Sequence, residues 1–153
     1  MVHCLNWLRV RKSRAEEIYD SLRPLKVSFK PKPQLFVYRV LKETYPEAKI
    51  HPLDVQYHVE PKVIVEDWIK EFPRLRKYVK DAYDCDNFAF WFKAWMAIRF
   101  MLNSVGYAEG LHPLGYHAFN VVVVSEGKAY IVEPQAPNRL LDPHTYRVDY
   151  IMI

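Results

Sequence analysis

The sequence predicts an α+β domain in which one buried helix packs on an antiparallel sheet, behind a mainly helical N-terminal half. Three observations carry this reading. From Cys85 to about Asn103 nearly every position is apolar, and a helix that is greasy on all sides is surrounded by protein. Tyr116 to Val124 and Ala129 to Glu133 read as two strands joined by Ser125-Glu126-Gly127. Upstream, apolar residues recur at helical spacing between prolines that punctuate the segments.

The elements follow in order. Ser13-Arg14-Ala15-Glu16 has the pattern of a capping box, Ile18 and Leu22 give the first helix its apolar face, and Pro24 ends it. Lys26 to Pro33 is a basic, extended connector. Leu35, Val37, Tyr38 and Leu41 predict a helix that stops near Pro46, and Asp54 to Val59 alternates like a short strand. Pro61 suits the first turn of another helix, with Val63, Ile64, Trp68 and Ile69 facing inward until Pro73. Asp84 is the expected N-cap of the long apolar helix. Gly106 to Gly115 reads as a loop, and Arg147 to Ile151 as a closing strand.

The 153 residues favour a single domain, 1–153. Its first eighty residues are expected to be mainly helical, and 81–153 to hold the long apolar helix and the β-hairpin core. Half the residues are apolar and 15% aromatic, enough for a core that needs neither disulfides nor a structural metal. No apolar run approaches the roughly 20 residues of a membrane span. The first residues, Met1 to Trp7, lack a secretory pattern, so a cytoplasmic location is expected. There the two cysteines, Cys4 and Cys85, are expected to be free thiols. A net charge of +4, with basic groups at Arg9 to Lys12, Lys26 to Lys32 and Arg74 to Lys77, is modest and does not by itself name a partner. The unpaired histidine spacings argue against zinc, and four glycines offer no phosphate loop.

Cys85 is the chemically suggestive residue. At a helix N-terminus the unpaired amides and the dipole favour a thiolate, and the same amides stabilise an oxyanion. Its acidic neighbours Asp84 and Asp86 oppose that charge. Otherwise Cys85 reads as a small core residue and His117 as a structural strand residue. Hairpin geometry links His117 to Glu133. With Gly127 left-handed in a three-residue connection, Val124 pairs with Lys128 and Phe119 with Glu133. Glu133 then lies diagonally beside His117 on one sheet face. A two-residue turn would send it to the other face.

Asp84-Cys85-Asp86-Asn87-Phe88-Ala89, Tyr116-His117-Ala118-Phe119-Asn120 and Val132-Glu133-Pro134-Gln135 together resemble the papain-like/transglutaminase-like cysteine peptidase superfamily. The nearest likeness is to the C-terminal domain of Marasmius oreades agglutinin and related phage and archaeal proteins. The resemblance covers about one-third of the chain. It implies a papain-like fold and a cysteine hydrolase, peptidase or amidase, working through a thioacyl-enzyme. Cys85 would be the nucleophile, His117 the base and Glu133 the orienting acid, with a peptide or protein as substrate. No organic cofactor is implied. The agglutinin's calcium dependence would make Asp86, Glu133 and Gln135 candidate oxygen ligands. No glutamine stands just before Cys85 to complete an oxyanion hole, and Gln56 is the substitute offered. The missing glutamine and the acidic flanks favour an alternative: a non-catalytic scaffold of viral or plasmid origin that binds nucleic acid or protein.

Overall fold

A computed structural model of the chain describes residues 31–73, 76–136 and 139–153, with Glu16, Asp20 and Leu22. Cys4, the start of the capping box at Ser13 and most of the basic groups lie outside the described residues. The elements run β1 (Pro31–Pro33), α1 (Gln34–Thr44), β2 (Lys49–His51), β3 (Gln56–His58), α2 (Lys62–Ile69) and α3 (Cys85–Phe100), then β4 (Val105–His112), β5 (Gly115–Val124), β6 (Lys128–Val132) and β7 (Arg147–Met152).

Five strands form one sheet in the order β2-β7-β4-β5-β6, while β1 and β3 pair separately. The sheet is mixed, because β2 runs parallel to β7 and every other pair is antiparallel. The expectation of an antiparallel sheet is therefore corrected. Strand β2 had no counterpart in the sequence pattern, because its three residues are too few for alternation to register.

The sheet carries a helix on each face. Phe92, Trp95, Met96 and Phe100 of α3 pack with Val65 and Ile69 of α2 against Val105, Val122, Val124 and Val132. On the other face Val37, Val40 and Leu41 of α1 cover Phe119, Val121, Val123 and Ile131. Strand β5 thus sends alternate side chains into two cores, which explains why it reads as an unbroken apolar run. In α2 the buried residues are Val65 and Ile69, one turn apart, whereas Val63 is 62% exposed and Ile64 36%. The inward set differs from the expected one, since a helix this short has only one narrow buried stripe.

Helix α3 begins as its sequence dictates. The Asn87 side chain accepts from the Asp84 amide at 3.1 Å, and Asp86 accepts from the Asn87 amide at 2.8 Å. The last turn of α1 is closed by Lys42 Nζ, which donates to the carbonyls of Pro46 and Ala48 at 3.0 and 2.9 Å.

Gly127 fixes the register of the β5–β6 hairpin. Its φ is +71°, and Val124 pairs with Lys128 through to Asn120 with Val132. Gly127→Ala is expected to cost about 1 kcal/mol in urea unfolding, because an alanine there is strained while its Cβ meets only ordinary contacts with Phe36. A cost near zero would show that the hairpin register does not depend on this left-handed residue.

Gly106 to His112, read from sequence as the start of a loop, instead lies in β4, the central strand between β5 and β7. Its glycines are places where neighbouring chains come close. A Cβ on Gly106 would lie 3.1 Å from both Ile151 Cγ2 and Ile153 Cβ.

Candidate functional site

The β5–β6 register carries His117 and Glu133 to the same end of the sheet. His117 Nε2 lies 2.8 Å from Glu133 Oε2, and the other carboxylate oxygen accepts from the Gln135 amide at 3.1 Å. Both side chains are about one-fifth exposed, at 18% and 19%. Opposite His117 on β4 stands Gly110, and a bulge between Glu109 and Gly110 adjusts the pairing of β4 with β7. The imidazole is enclosed by rings: His112 at 5.4 Å and Tyr146 and Phe119 at 6.3 Å between centroids.

A cleft of about 370 Å³ opens over this pair. Its polar side chains are His112, His117, Glu133 and Gln135, and its aromatic walls are Tyr78, Tyr116 and Tyr146. Leu114, 93% exposed at the tip of the β4–β5 hairpin, forms part of the rim. The Tyr146 phenol is pushed above its usual range, first by burial and then by the Glu133 carboxylate. Tyr116 is raised by partial desolvation and by Glu109, to which its hydroxyl donates at 3.4 Å. Both phenols therefore remain protonated and can act as donors at neutral pH. Sequence reasoning did not single out Tyr78, Tyr116, Tyr146 or His112 for this site. Tyr116 figures there only as a flank of His117, Tyr146 stands before β7 outside any motif, and His112 belongs to the strand whose glycines suggest a loop.

Cys85 lies on the other side of β5. It packs against Ala89, Tyr107 and Ala118, and Asn120, on the same face as Ala118, donates to the Ala89 carbonyl at 3.0 Å. By strand alternation His117 shares the opposite face with Phe119. Among the described residues no hydrogen bond reaches the Cys85 thiol, and Cys85 does not line the cleft. The structure joins His117 to Glu133, and Cys85 is hydrogen-bonded to neither. Gln56 sits in β3, where its carbonyl accepts from Asn103 Nδ2 at 3.0 Å.

The carboxylates considered for calcium are engaged in hydrogen bonds within the chain. Glu133 commits its two oxygens to His117 and Gln135, while Asp86 accepts from Asn87 and is hydrogen-bonded to Asp84. That hydrogen bond holds the Asp84 carboxyl above its usual range. Among the described residues no three His, Cys, Asp or Glu side chains gather as a metal cluster.

Comparison with known proteins defines the family. A search of curated proteins finds no match. The family model described as "Ricin-type beta-trefoil lectin C-terminal domain" matches residues 35–153. Among solved structures, the "PSL1a-E64 complex" is similar with a TM-score of 0.61 and 20% identity, over 80% of this chain and 51% of that one. Polyporus squamosus lectin, bound to the epitope Neu5Aca2-6Galb1-4GlcNAc, is similar with a TM-score of 0.61 and 17% identity, over 80% of this chain and 49% of that one. At these identities the likeness is one of fold, and this chain spans about half the length of either structure.

These findings correct the resemblance drawn from the motifs. The fold is that of a lectin C-terminal domain with a mixed sheet, not a papain-like or transglutaminase-like peptidase fold. A cysteine hydrolase acting on a peptide or protein substrate is not supported. The family is one of lectin domains. Nor do the comparisons support the viral or plasmid-borne scaffold that binds nucleic acid. The three motifs are short and cover only about one-third of the chain, whereas the family model spans residues 35–153. With its family model spanning more than half of its residues, the chain belongs to the ricin-type beta-trefoil lectin C-terminal domain family.

Proposed function

We propose that this chain is a carbohydrate-binding domain and that the cleft over His117 and Glu133 receives the sugar. The observation that carries the reading is the lining of that cleft. Tyrosine faces stand beside a carboxylate, an amide and two imidazoles in one concavity. A sugar ring offers apolar C–H faces and a fringe of hydroxyls that both donate and accept. Aromatic walls cover the first, and convergent acceptors and donors pair the second. His117 and Glu133, expected from sequence as base and orienting acid, are read here as ligand contacts. Family membership supports this reading, as does the glycan epitope bound to Polyporus squamosus lectin.

The test is a glycan microarray probed with the purified chain, followed by calorimetric titration of the best ligands. At least one glycan is expected to bind saturably. Glu133→Gln removes a charged acceptor and Tyr116→Ala removes a largely exposed aromatic wall. Each is expected to weaken binding roughly tenfold or more while leaving the melting temperature nearly unchanged. An array with no bound glycan, or unchanged affinity in both variants, refutes the proposal.

A further inference from the structure

Two imidazoles stand side by side near the tip of the β4–β5 hairpin. The strands pair from Val105 with Val122 out to His112 with Gly115, which places His117 opposite Gly110. Residues two apart on a strand, and residues directly opposite on its neighbour, share a face, so His112, Gly110 and His117 belong to one side of the sheet. Gly110 has no side chain to stand between the rings, and their centroids lie 5.4 Å apart. Both rings line the cleft.

Each ring is anchored by a different nitrogen. His117 Nε2 lies 2.8 Å from Glu133 Oε2, and the same carboxylate accepts from the Gln135 amide at 3.1 Å. A carboxylate only accepts, so the ring proton of a neutral His117 sits on Nε2 and Nδ1 carries a lone pair. His112 is held by its other end. Its Nδ1 accepts from the Leu114 amide at 3.0 Å, which again leaves the ring proton on Nε2. Among the described residues neither His117 Nδ1 nor His112 Nε2 has a hydrogen-bond partner. The free nitrogens are therefore complementary: His117 offers an acceptor and His112 a donor.

A hydroxyl both donates and accepts, and a sugar ring carries hydroxyls on adjacent carbons. One of such a pair can donate to His117 Nδ1 while its neighbour accepts from His112 Nε2. Hydrogen bonds of about 2.9 Å on either side reach adjacent oxygens from rings this close. We infer that the two imidazoles recognise a vicinal diol, their opposite anchoring setting which hydroxyl donates and which accepts. This assignment rests on the carbohydrate-binding reading above and adds the chemical group that is recognised.

Nitrogen NMR of the imidazole rings in the free chain at pH 8 tests the anchoring without any sugar. Both rings are expected to carry their proton on Nε2 and to show a bare Nδ1. A proton on Nδ1 of either ring overturns the assignment. The same resonances then follow titration with methyl hexopyranosides and their monodeoxy and monodeoxyfluoro analogues. Two positions on adjacent ring carbons are expected to matter, each deoxy analogue binding roughly tenfold more weakly, the size of a lost hydrogen bond. Fluorine accepts weakly and cannot donate. It should restore part of the affinity at the position facing His112 and none at the position facing His117. H112A should lose sensitivity to the first position only, and H112Q, which keeps a donor, should recover part of it. Sensitive positions that are not adjacent, an unchanged pattern in H112A, or no pyranoside that moves either ring resonance overturns the diol site and leaves carbohydrate binding intact. An array without a bound glycan removes both.

Discussion

Asn120→Asp is expected to destabilise the fold by about 4 kcal/mol at neutral pH, the cost of an uncompensated buried charge. For a chain of this size, that corresponds to a melting temperature roughly 8–16 °C lower. Asn120 is fully buried in β5, and its amide nitrogen donates to the carbonyls of Ala89 in α3 and Gly106 in β4, each at 3.0 Å. Its Oδ1 has no partner among the described residues. The aspartate has the same shape but turns the shared donor into an acceptor facing two acceptors. Burial raises the folded-state pKa of the new carboxyl above its unfolded value of about 3.9. The native state then holds more protons than the unfolded state between those two values. Stability therefore falls as pH rises through that window, and the deficit shrinks toward pH 4. Urea unfolding at pH 7 and pH 4.5 measures both effects. A variant within about 1 kcal/mol of wild type at pH 7 would mean that this amide does not tie the helix to the sheet.

Gly110→Ala is expected to lose about 3 kcal/mol, the upper end of overpacking costs, with a melting temperature roughly 6–12 °C lower. A Cβ at this position would lie 1.8 Å from the Arg147 carbonyl oxygen and 2.8 Å from its carbon. Both are backbone atoms of the neighbouring strand, so no side-chain rotation relieves the clash. Strands β4 and β7 must separate at the bulge, and Gly110 is also the partner of His117. Glycan affinity should fall with stability, because the strand that positions the imidazole shifts. Thermal unfolding gives the first readout and calorimetric titration the second. A melting temperature within about 2 °C of wild type would show that β7 sits farther from β4 than the structure places it.

These two residues mark different degrees of legibility. The strand containing Asn120 and the helix starting at Cys85 were readable because a long apolar run and a capping pattern are local signals. The hairpin was readable for the same reason. A left-handed glycine at 127 sets the pairing, and the pairing sets the 2.8 Å approach of His117 and Glu133. Strand β4 was not readable. Gly106 and Gly110 suggest a turn unless the chains pressing on them are known. The three-residue strand β2 and the parallel pairing with β7 were equally hidden, since a parallel partner is chosen by the whole sheet.

Residue order alone was enough to establish where α3 starts and that an imidazole and a carboxylate share one face of a hairpin, but not the burial of α3 on all sides, since Phe90 is 45% and Ile98 47% exposed. These properties depend on side-chain period, capping and one glycine dihedral, all acting within a few residues. Which groups join that pair was settled by the packing of distant segments. Packing placed Cys85 among Ala89, Tyr107 and Ala118, and brought Tyr78 and Tyr146 to the cleft. A strand buried on both faces presents successive side chains to opposite layers. Motif order along the chain cannot reveal which layer each of them meets.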